Sequence, residues 1–255
     1  MIRNVKLLIS MLVFGLFQTA WGQSQEAEKA YLAGEYDVAF ADVAADRGAD
    51  ACAFGARMLL AKAMSGDVQP PRSLLSAALA EANNALVVEP QHIEGRLQKA
   101  IALSLLVRPM SLREARDSGF GEEARALAEA VLVDDPANAY AHGFLAVWHI
   151  EVINRGGFLG AMVLGASMDD AERHYAAAVQ ASPGDAALHW QYARALAALN
   201  ARKYLEEVSD ALNAALAAPV GSVLEQVMQD RARTLSAAVA SSSTRDVEAL
   251  AKTML

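Results

Sequence analysis

The chain has 255 residues, 54% hydrophobic and 20% charged, with a formal net charge of −8 and a pI near 5.2. That balance argues against nucleic acid or an anionic membrane as the main partner. Alanine dominates and β-branched runs are nearly absent, so the composition favours helix and offers little for a sheet.

Residues 1–22 read as a secretory signal peptide. Arg3 and Lys6 form the basic start, Leu7 to Phe17 is an uncharged apolar core, and Ala20-Trp21-Gly22 supplies the small residues for cleavage after Gly22. The apolar core is short for a bilayer-spanning helix. No cysteine stands near the cleavage point to carry a lipid. The expectation is a periplasmic or secreted chain with no transmembrane segment after cleavage; an uncleaved N-terminal anchor is the alternative. Residues 23–255 read as one helical domain.

From residue 24 the pattern is helical throughout. Helices are expected over 24–33 and 35–46, joined at Gly34, and over 50–64. Gly66 with Pro70-Pro71 then marks a loop. Cys52, the only cysteine, lies among small apolar residues and reads as a buried thiol. A helix over 72–88 runs into Pro90, and another follows to about Val107. Residues 109–121 form a long connection with a short helix near 112–116, and 122–133 is helical up to Pro136. The next helix is expected to end near Asn154. Residues 154–168, rich in glycine, read as an inserted turn before a helix over 168–181. Helical stretches from 185 to 218, 221 to 241 and 244 to 254 complete the chain, those from about 220 as caps.

The clearest stretch is 170–200. Ala178, Tyr175 and Ala171 lie five, eight and twelve residues before Pro183; His189, Tyr192, Ala193 and Leu196 lie six, nine, ten and thirteen after it. Small residues let helices approach, and the larger ones fill the gaps between them. Ala100 and Leu103 repeat the offsets after Pro90, and His142 and Ala146 do so after Pro136. This spacing resembles the tetratricopeptide (TPR) family. The marker prolines 90, 136, 183 and 219 are 46, 47 and 36 residues apart, against the 34 of a plain repeat, which places insertions in the turns near 108–121 and 154–168. Arg96 and Lys99 stand where that family usually has bulky apolar residues.

The resemblance implies an all-α, right-handed solenoid of helix pairs that acts by binding, its first helices lining a concave face. The groove positions it implies are Leu97 and Trp190, with Gly143, seven after a proline; Ile101, Val147 and Arg194 eleven after; Glu94 and Tyr140 four after; and Arg57 by alignment of Ala56 with Ala193. The expected partner is a protein or peptide of the cell envelope. The alternative is a ligand-handling accessory protein resembling the TPR-built T component of TRAP transporters.

No HExxH, GxSxG or Walker phosphate loop is present, so no catalytic residue and no cofactor are expected. His142, His149, His174 and His189 cluster by spacing, but no cysteine or carboxylate completes a ligand set, so they read as packing residues rather than a metal site. One segment stands apart. Phe158, Leu159, Met162 and Leu164, with Val163, crowd into seven residues bracketed by glycines. Exposure of so many apolar side chains is unfavourable. The expectation is a short helix packed on the stack as a fixed lid, with docking of a partner as the alternative. Oligomeric state is left open.

Overall fold

The computed structural model describes residues 25–66 and 69–254; the expected signal peptide, 1–22, lies outside them. The described residues form thirteen α-helices: α1 Gln25–Leu32, α2 Tyr36–Val43, α3 Ala49–Ser65, α4 Arg72–Val88, α5 Ile93–Val107, α6 Leu112–Ser118, α7 Phe120–Asp134, α8 Ala139–Leu164, α9 Met168–Ala181, α10 Ala186–Asn200, α11 Leu205–Ala217, α12 Val223–Ser241 and α13 Thr244–Thr253. They pack in successive antiparallel neighbours, α1 with α2, α3 with α4, α5 with α7, α8 with α9, α10 with α11, in a helical-repeat arrangement. The first helices of adjoining pairs also touch, α3 on α5 and α8 on α10.

Local chemistry explains where the helices start. Ser111 and Ser222 form capping boxes with Glu114 and Glu225, and Asn138, Ser167, Asp185 and Ser243 each accept from a first-turn amide. Each such cap stabilises by about 0.5–2 kcal/mol relative to alanine.

Small residues at the repeat offsets sit where helices meet. Ala78, Ala85, Ala100, Ala146, Ala171, Ala178 and Ala193 are fully buried. Between them Tyr175 and Tyr192 stack, ring centroids 3.7 Å apart and nearly parallel. In the last unit the register slips by one: Ala215, not Ala214, is the buried residue before Pro219.

The position six after Pro90, Pro136 and Pro183 has a further job. His142 Nε2 lies 3.0 Å from the Pro136 carbonyl, His189 Nε2 3.0 Å from that of Pro183, and Arg96 Nε 3.2 Å from that of Pro90. A carbonyl only accepts, so each side chain donates, and the turn between units is tied to the helix it opens. Arg96 is thus the functional equivalent of the two histidines, extended by an ion pair to Asp134 at 2.7 Å.

The glycine-rich segment agrees with expectation in part. The helix from Ala139 is broken at Gly157, whose φ of 58° and ψ of −160° only glycine adopts readily, and a short helical stretch follows to Leu164. It is not a packed lid. Phe158, Leu159, Met162 and Val163 are 80, 69, 63 and 77% exposed; Leu164 is half-buried. Arg125 of α7 donates to the Leu164 carbonyl at 2.6 Å and holds the end of this stretch by its main chain, while its apolar side chains stay in water.

The C-terminal caps also do more than end the stack. α12 packs on α11 and α10 and reaches α3, and α13 lies along α10. Val223 sits against Gly34 in the α1–α2 turn, and Arg231 donates to the Met64 and Gly66 carbonyls, both at 2.7 Å. Arg108, at the end of α5, donates to the Met254 carbonyl at 2.9 Å. The last helices therefore return to the first units.

Candidate functional site

Two polar clusters lie where the first helices of adjoining pairs meet, one between α3 and α5 and one between α8 and α10. In the first, Arg57 on α3 and Glu94 on α5 form an ion pair at 2.6 Å, and Gln98, one turn on, donates to the same Oε1 at 2.7 Å. Arg57 also lies over the Phe54 ring at 5.8 Å, and Tyr31 meets Phe54 and Tyr36 at 5.7 and 5.9 Å. Burial opposes the Arg57 cation, but Glu94 and then Tyr31 outweigh it and raise its pKa. Burial pushes the Tyr31 phenol up to about 12, against the pull of Arg57. Tyr140, 56% exposed, is held neutral well above its usual range, first by desolvation and then by Asp185.

In the second cluster, Arg194 on α10 donates from Nη2 to Glu151 of α8 at 2.7 Å and from Nε to Gln191 at 3.1 Å. Arg155, one turn beyond Glu151, donates to the Val107 and Met110 carbonyls at 3.1 and 2.7 Å. Val107 adjoins Arg108, so three guanidinium side chains converge near one carboxylate. Burial opposes ionisation of Glu151, but Arg194, Arg108 and Arg155 hold it below the usual carboxylate range.

The predicted groove residues divide by their offset. Tyr140 is exposed, Arg57 and Glu94 keep their polar groups within reach of water, and Ile101 and Val147 are half-buried. Trp190 and Leu97 do not line a groove. Trp190 is fully buried in the main core, and Leu97 is buried with Val131 of α7 and Ala141 of α8. Seven after the proline is a seam position between neighbouring units. Gly143 shows why: a Cβ there would overlap Leu188 Cδ2 of α10. Arg194 is only 3% exposed and is a buried ion-pair partner rather than a surface contact.

The histidines are joined by hydrogen bonds. His142 Nε2 donates to Pro136, so its neutral Nδ1 accepts from His174 Nδ1 at 2.8 Å. His149 Nδ1 accepts from the Ser167 amide at 3.2 Å, and His189 Nδ1 accepts from the Tyr175 hydroxyl at 2.7 Å. Among the described residues no group of three or more His, Cys, Asp or Glu is placed to hold a metal ion. Cys52 is buried, and burial followed by Glu81 raises its thiol pKa. Among the described residues no helix is long and apolar enough to cross a membrane.

Sequence reasoning missed Arg108, Arg155 and Glu151. Their only signal was an arginine just past a helix end and a Glu–Arg pair four apart on an otherwise apolar helix. No protein-family model matches the chain. No curated protein matches it either.

Proposed function

We propose that this chain is a non-catalytic helical-repeat scaffold that docks a protein partner in the cell envelope. The observation behind it is the end of α8, where four large apolar side chains within six residues stand more than 60% exposed. Contiguous apolar exposure of this kind marks interaction surfaces. No charged residue occurs from Gly156 to Met168, and the two cations beside the segment are engaged, Arg155 with the Val107 and Met110 carbonyls and Arg125 of α7 with the Leu164 carbonyl and Glu129. An interfacial membrane helix would carry basic residues on its polar face, so a protein with an apolar groove fits better than a lipid surface. The envelope assignment rests on residues 1–22. Of the groove residues the resemblance implies, Arg57, Glu94 and Tyr140 keep polar groups within a partner's reach.

The test is a photo-crosslinking residue at Phe158, in cells of the source organism, with and without Leu159→Asp and Met162→Asp. A specific adduct that disappears in a variant of unchanged melting temperature supports docking there. Absence of any adduct, or a lowered melting temperature in the double variant, removes it.

A second reading, a ligand-handling protein resembling the T component of TRAP transporters, is favoured by one observation. Arg231 ties α12 to the end of α3, so the last helices close back on the first units, as a protein that encloses a ligand would require.

A further inference from the structure

We propose that the guanidinium cluster of Arg108, Arg155 and Arg194 binds a small free oxyanion, a phosphate or a carboxylate. The first ground is a buried donor with nothing to donate to. Arg194 is 3% exposed, two of its three nitrogens are bonded to Glu151 and Gln191, and Nη1 is buried without an acceptor. An unmet donor on a buried cation costs about 1–3 kcal/mol or more. Native interiors rarely leave one.

The second ground is charge. Arg194 and Arg155 repel Arg108, and among the described residues Glu151 is the carboxylate that offsets this repulsion. Among those residues three cations face one anion. Carbonyls at the ends of α5 and α13 take up N–H groups of Arg155 and Arg108. They supply the partial negative charge of helix C-termini, not the two full charges missing. Burial, with Arg194 and Arg155, lowers the Arg108 pKa to about 10, the direction expected of a cation lacking a counter-ion.

Geometry limits the ligand. Arg108 and Arg155 are half-buried and still reach water, whereas Arg194 is 3% exposed. A polypeptide cannot reach Arg194, but a single planar carboxylate or tetrahedral phosphate can bridge guanidinium forks, the geometry in which arginine binds such groups. The site does not depend on docking at the end of α8, which uses none of these residues.

The experiment is isothermal titration of the purified full chain with sodium phosphate and, separately, sodium acetate, ionic strength being held with sodium chloride. Saturable binding of either at one site is expected, and the two arms tell which oxyanion fits. Arg155→Gln should weaken the apparent Kd by about tenfold, the worth of one charge-assisted bond. Arg194→Gln with Glu151→Gln removes the inner pair together and should abolish binding while circular dichroism stays unchanged. No saturable binding of either anion, or an unchanged Kd in Arg155→Gln, overturns the proposal.

Discussion

Arg231 of α12 donates both terminal nitrogens, at 2.7 Å each, to the carbonyls of Met64 and Gly66, 167 and 165 residues away in the chain. Those carbonyls end α3 and have no partner within their own helix, so the arginine meets acceptors that would otherwise need water. Hydrogen bonds from a charged group contribute about 1.5–3 kcal/mol each when buried, and these are partly exposed. Arg231→Gln should therefore lower stability by about 2 kcal/mol and the melting temperature by about 4–8 °C for a chain of this size. Thermal denaturation followed at 222 nm checks this. An unchanged midpoint would show that the two ends hold together without it.

Acid should weaken the protein before its carboxylates titrate. Burial, then His142, pushes the His174 pKa down to about 4, and burial lowers that of His149. Unfolded histidine titrates near 6.5. Between these values the unfolded chain binds more protons, so stability rises with pH. It is fully present above about pH 6.5 and is lost as pH falls toward 4. Glu151 and Asp170 are lowered instead, and their contribution is lost only below the ordinary carboxylate range. Urea midpoints should thus fall from pH 7 to pH 5 in the wild type. In His174→Gln the fall should be smaller; an equal fall would place its origin elsewhere.

Gly143 is required by proximity rather than by backbone conformation. A methyl group there meets Leu188 Cδ2 on α10, the far end of a side chain that can rotate but is itself buried. Gly143→Ala should cost about 1–3 kcal/mol through overpacking. Adding Leu188→Ala to that variant should recover part of the loss. Denaturant titration of the single and double variants reads the coupling.

Gly157 sets where the exposed apolar turn points. Nothing lies within 4 Å of a Cβ added there, yet its positive φ is strained for alanine by about 1–3 kcal/mol. Gly157→Ala should straighten α8, leaving the melting temperature within a few degrees of wild type while re-aiming Met162. Spin labels at Arg113 and Met162 should then report a changed distance. An unchanged one would mean the bend is held by other contacts.

Much of the helix order was legible from proline, glycine and alanine. The buried Ala100, Ala146 and Ala193 follow directly from their shared offset after a proline. Three things were not. Gly156, Gly157 and Gly160 suggest a break, but glycine only permits a bend, and tertiary contacts decide whether the helix resumes. Leu97 and Trp190 were placed on the groove by offset; a linear pattern identifies an apolar position but not whether a neighbouring unit or solvent covers it. The return of α12 and α13 has no local signature at all, since Arg231 and Arg108 act on main-chain carbonyls that any residue could supply.

The bond from Arg231 to the end of α3 bears on how the chain acquires its structure. An open array of repeats gains stability one neighbour at a time and can begin anywhere along its length. Here α3 leaves its terminal carbonyls waiting for a helix that begins at Val223, so the first units are finished only after nearly the whole chain has been synthesised. Joining parts so distant in sequence slows folding through the entropy of loop closure. In return the two ends share one fate: loss of α12 loosens α3, and fraying at one terminus is felt at the other. A truncation before residue 223 would be a different protein at its N-terminus, not the same one shortened.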